Sequence, residues 1–77
     1  LTLKFDKSQA FRVYEEFSGQ IRQDPDGNLL LETEFPKHSS LYSYLLSFLD
    51  SVEVLEPLEV RQELAQIVKT ISQKYKT

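Results

Sequence analysis

Seventy-seven residues suffice for one small domain, and a domain near this size buries only roughly 60% of the surface its unfolded chain exposes. The chain has no cysteine, so neither a disulfide nor a thiolate metal site holds it together, which agrees with a reducing, cytoplasmic setting. The net charge of −3 hides three blocks, +1 over residues 1–23, −7 over residues 24–65 and +3 over residues 66–77, and the acidic middle argues against a domain that grips duplex DNA.

The chain opens at Leu1 without a signal-like region, and it reads as one domain, residues 1–77, cut from a longer protein. No apolar run approaches a membrane span, so no membrane partner is expected. Leu1, Leu3 and Phe5 alternate with Thr2, Lys4 and Asp6, the period of a strand with one apolar face. Asp6 and Ser8 are suited to cap a helix. Ala10, Val13, Tyr14 and Phe17 then recur as the stripe of an amphipathic helix, which Ser18-Gly19 ends. Gln20 to Gln23 is a short strand, and Asp24-Pro25-Asp26-Gly27 is a turn: proline presets its first dihedral and glycine accepts a positive φ. Asn28 to Phe35 returns as a strand, with Leu29, Leu31, Thr33 and Phe35 on one face and Leu30, Glu32 and Glu34 on the other. Ser39 or Ser40 caps a second helix running to about Asp50, with Leu41, Leu45, Phe48 and Leu49 as its stripe. Val52 to Leu55 is a fourth strand. Pro57 suits the first turn of a third helix, whose apolar face is Val60, Leu64, Ile67, Val68, Ile71 and Tyr75. Lys69, Lys74 and Lys76 favour its C-terminal dipole.

The order β-α-β-β-α-β-α predicts an α+β domain: a ferredoxin-like βαββαβ antiparallel four-stranded sheet with an added C-terminal helix. Right-handed crossovers place the first two helices on the same face of the sheet.

Chemistry is poorly provided for. The single histidine, His38, has no ligand-like pattern around it, and Asp24 and Asp26 read as turn residues rather than calcium ligands. No serine occupies a nucleophile elbow. Glu32 and Glu34 sit at i, i+2 on a polar strand face, where they solubilise. The loop after the first strand, Asp6-Lys7-Ser8, lacks the glycine of a phosphate cradle. These observations predict no enzyme activity, no catalytic residue, no metal and no cofactor.

The same topology serves RNA-recognition domains, which stack bases on aromatics displayed from their central strands. The outward residues here are Thr2, Lys4, Asp6, Leu30, Glu32 and Glu34, none of them aromatic. Lys4, Lys7, Arg12 and Arg22 remain candidate contacts for an effector or a nucleic acid, against a reading as surface charges paired with Asp6, Glu15 and Glu32. Leu30 and Leu55, expected among polar neighbours on the helix-free face, and Tyr42 and Tyr44, partly off the stripe of the second helix, are candidate protein-interface residues.

Tyr44-Leu45-Leu46-Ser47-Phe48, then Val52-Glu53-Val54-Leu55-Glu56-Pro57, then Glu59-Val60-Arg61-Gln62-Glu63-Leu64 resemble the C-terminal extension domain (WCX) of bacterial WYL-domain transcriptional regulators, the DeoR-like proteins with an N-terminal winged helix-turn-helix. Leu3-Lys4-Phe5 and Asp26-Gly27 with its apolar strand fit as well. Tyr44 stands where tryptophan is usual. Leu49 stands where glycine is usual, so Asp50 and Ser51 are expected to build the turn into strand four. The resemblance implies an accessory module of a larger regulator. It assists dimerisation, partners its own WYL domain and borders a site for a single-stranded nucleic acid or small-molecule effector, while the winged helix reads DNA. The alternative is an ACT-like small-molecule-sensing module, which the missing glycine-rich first loop disfavours.

Overall fold

The computed structural model describes residues 1–17, 20–35 and 39–76, and of Ser39 the backbone alone. Its elements are β1 (Thr2–Phe5), a 3-10 turn (Lys7–Gln9), α1 (Ala10–Glu16), β2 (Ile21–Gln23), β3 (Leu29–Glu32), α2 (Ser39–Leu46), β4 (Val52–Glu56) and α3 (Leu58–Lys74). The strands form one sheet in the order β2-β3-β1-β4, with every neighbouring pair antiparallel. This is the split βαβ arrangement that the element order predicts.

Alternation along the strands separates a core face from an open face. Leu3 and Phe5 of β1, Leu29 and Leu31 of β3, and Val54 of β4 are buried. Val13 of α1, with Leu41, Leu45 and Phe48 from α2 and the turn after it, join the same core. Both helices therefore cover one side of the sheet, as right-handed crossovers require. Phe5 is the centre of an aromatic cluster: its ring lies 4.9 Å from that of Phe48 and 5.8 Å from that of Phe17. Tyr44 stacks on Phe35 at 5.6 Å and meets Phe48 edge-on at 5.4 Å.

The hairpin turn is built by Asp24. Its Oδ1 accepts from the backbone N–H groups of Asp26 and Asn28, at 2.9 and 3.0 Å. The Gly27 N–H donates to the Asp24 carbonyl at 2.9 Å, and Gly27 has φ 86°, the left-handed region glycine enters freely.

Several boundaries differ from the sequence expectation. Asp6 accepts from the backbone N–H and hydroxyl of Ser8, but the turn it caps is 3-10, and α1 starts only at Ala10. Tyr14, about 100° round the helix from the buried Val13, misses the core and is 55% exposed. Strand β3 stops at Glu32, so Glu34 lies outside the ladder, although the Thr33 N–H still reaches the Leu1 carbonyl and Phe35 still packs on the core. Helix α2 ends at Leu46 rather than near Asp50. There the Ser47 hydroxyl donates to the Tyr44 carbonyl, and the N–H groups of Phe48 and Leu49 bond three residues back instead of four. The tightening turns Leu49 off the stripe. It is 80% exposed and itself takes φ 58°, the conformation expected of the residues after it. The expected ends of α1 at Ser18-Gly19 and the placement of Pro36 and His38 lie outside the described residues.

Helix α3 leaves β4 through Pro57, at its N-cap, and runs back along this edge strand. The Arg61 guanidinium donates to the Val54 carbonyl at 2.9 Å and to the Glu53 carboxylate at 2.8 Å. A helix over a sheet edge blocks strand-to-strand association there.

Candidate functional site

The open face of the sheet holds part of the expected basic set. In the register, Arg22 stands opposite Leu30, Leu30 opposite Lys4, and Lys4 opposite Glu53, a single row across all four strands. Each cation in the row has an anion. Lys4 Nζ lies 3.4 Å from Asp24, and Arg22 lies 3.9 Å from Glu32. The Asp24 carboxyl sits below the usual carboxylate range. Desolvation works in the opposite direction and is outweighed by the two backbone N–H groups it accepts from and by Lys4. Lys7 stands just beyond β1, its backbone N–H donating to Asn28 Oδ1 at 3.2 Å.

Arg12 belongs to the other layer. Its guanidinium carbon lies 3.7 Å from the centroid of the Phe48 ring, its Nε donates to Glu16 at 3.2 Å, and a terminal nitrogen donates to the Ser47 hydroxyl at 3.0 Å. It ties α1 to the end of α2 rather than joining Lys4 and Arg22. The four basic residues therefore do not converge on one site. The sequence pairing with Asp6 and Glu15 gives way to Asp24, which only the fold brings within reach of Lys4, and to Glu16, one helical turn from Arg12.

The two tyrosines make intramolecular joints. The Tyr44 hydroxyl donates to Glu16 at 2.7 Å, across the α1–α2 seam. Burial, together with this carboxylate, pushes its pKa up to about 12. The Tyr42 hydroxyl donates to Glu63 and fastens α2 to α3. Leu30 is half-buried on the open face. Leu55 is half-buried and has no opposite residue, because β4 carries one extra residue between Val54, paired with Leu3, and Glu56, paired with Thr2. This bulge breaks the simple alternation that put Leu55 with Leu30.

A different surface is richer in apolar contact area. Beyond Leu64 and Ile67, α3 outruns the sheet, leaving Val68 47%, Ile71 41% and Tyr75 80% exposed. Val68 and Ile71 face Leu46, Leu49 and Val52 across an open groove of about 520 Å³ whose lining is mostly hydrocarbon. A second hollow of about 290 Å³ continues it between β4 and α3, past Val54, Leu64 and Ala65. Phe11, 78% exposed, and Tyr14 also stand out from α1. The apolar stripe of α3 was visible in its spacing, but the exposure of its second half was not, because periodicity says nothing about how far a neighbouring sheet extends.

Among the described residues there is no group of three or more potential metal-ligating side chains, and no helix is long and apolar enough to cross a membrane. A family model described as the WCX domain matches residues 1–72. No curated protein matches the chain.

Proposed function

The chain belongs to the WCX domain family, and from that membership we propose that it is the accessory module of a bacterial WYL-type, DeoR-family transcription regulator, working in the cytoplasm. In this reading it serves self-association and assists effector sensing. Duplex DNA is read by a winged helix-turn-helix elsewhere in the polypeptide.

The family match over residues 1–72 carries the proposal. The surface supports it in two ways. Among the described residues the open face shows no exposed aromatic for base stacking, and its cations Lys4 and Arg22 are already paired with Asp24 and Glu32. The exposed apolar area lies instead along α3, as a docking element needs. Two measurements test the reading. A mobility-shift titration of residues 1–77 against operator duplex at physiological salt should give no sequence-specific complex. Sedimentation of the full-length regulator should show self-association that weakens when residues 1–77 are deleted. Tight specific duplex binding by the domain, or unchanged association after the deletion, overturns the corresponding half.

A further inference from the structure

Leu49 is out of place on a free surface. It holds a left-handed backbone, φ 58°, which L side chains resist, and its hydrocarbon is 80% exposed. Glycine at this position removes both costs. The leucine side chain stands on the wall of the groove that Val68 and Ile71 of α3 close from the other side.

Helix α3 carries a second, independent feature. Over residues 58–63, Glu59 and Glu63 stand against Arg61, a net −1, with Glu56 just ahead of the helix at the end of β4. Over residues 69–74, Lys69 and Lys74 give a net +2, with Lys76 two residues past the helix end. A partner surface of a single sign is repelled at one end of such a helix. An antiparallel copy of the same helix is attracted at both ends.

We propose that the groove receives a second copy of this chain, α3 against α3, antiparallel about a two-fold axis beside Ile67 and Val68. In that register Leu64 of one copy meets Ile71 of the other. The acidic end of each helix, at Glu59, lies along the basic end of the other, at Lys74 and Lys76. Leu49 packs against the incoming helix from the groove wall. The contact is isologous, so one patch serves both copies and the assembly closes as a dimer. The inference rests on the self-association reading above and names its surface.

Cysteine placement in the full-length protein tests it, since residues 1–77 contain none. Val68→Cys, beside the axis, should form an intermolecular disulfide under mild oxidant, with the linked peptides identified by mass spectrometry. Gln66→Cys, on the opposite side of the helix, should not. Leu49→Gly relieves the backbone, so it should melt no lower as monomer, yet it should raise the dimer Kd roughly tenfold or more. A dimer that persists with no Val68→Cys link and an unchanged Kd for Leu49→Gly overturns this surface while leaving self-association standing. A full-length protein that is monomeric at every concentration overturns both.

Discussion

Glu16 joins two side chains that the sequence separates widely: it accepts from Tyr44 Oη at 2.7 Å and from Arg12 Nε at 3.2 Å, while Arg12 lies over the Phe48 ring. Because burial, and then the hydrogen bond to Glu16, keep the Tyr44 phenol neutral, its folded pKa of about 12 exceeds the ordinary value of about 10. Its contribution to stability is therefore complete below pH ~10 and is lost as pH rises through ~12. Tyr44→Phe should cost about 1 kcal/mol at neutral pH. It should also remove the phenolate absorbance step near pH 12, read by ultraviolet titration. Glu16→Gln, which keeps the phenol, should bring that step to lower pH, and a step left in place excludes the Glu16 bond as a cause. Leu49 predicts the opposite sign. Relief of its left-handed backbone outweighs the extra freedom of an unfolded glycine, so Leu49→Gly should stabilise the monomer by about 0.5–1 kcal/mol. The observable is a higher urea midpoint at unchanged slope, at protein concentrations too low for association. Neither residue could be placed by pattern alone. Tyr44 looked peripheral because its partner lies 28 positions away. Leu49 looked like a core residue because helical periodicity was extended through a turn that tightens at Ser47.

At the scale of elements, the hairpin between β2 and β3 depends on one carboxylate. Asp24 Oδ1 holds the N–H groups of Asp26 and Asn28, and Oδ2 lies 3.4 Å from Lys4 on β1, so the turn is also tied to the centre of the sheet. Its depressed pKa means that the charged form is the folded form. The stabilisation is present above the unfolded carboxylate value of about 3.9 and is lost as pH falls through the lower folded value. The amide shifts of Asp26 and Asn28 should therefore titrate together with a midpoint below ~3.9, and Asp24→Asn should abolish that titration while keeping the turn; a midpoint at or above the ordinary value contradicts it. This turn was legible in Asp-Pro-Asp-Gly, because proline presets one dihedral of the turn and glycine admits the positive φ it needs, whatever surrounds them. The strands were legible for a related reason: a period of two selects one face, and Leu3, Phe5, Leu29 and Leu31 are all buried. The bulge at Leu55 was not. It arises from the register between β1 and β4, a pairing between distant segments that no local pattern encodes.

At the scale of the whole molecule, α3 divides into two halves with different physical status. Val60 is buried, Leu64 and Ile67 are half-buried, and Arg61 bonds the edge strand, so the first half shares the stability of the domain. From Val68 onward every described residue is exposed, and a short helical stretch without packing is marginal in water. Hydrogen exchange should register the division directly. In dilute monomer, amides from Leu64 to Val68 should exchange at rates approaching global unfolding, whereas those from Thr70 to Lys74 should open locally and exchange much faster. Raising the protein concentration through the dimerisation range should slow the second set, which gains cover from the other copy, while amides that exchange only by global unfolding slow with them by mass action. Distal α3 amides that stay fast while the sheet amides slow would instead mean that association uses a surface other than α3. Uniform protection of α3 in the dilute monomer would mean that its distal half needs no partner, and the apolar groove would then be a feature of the isolated domain.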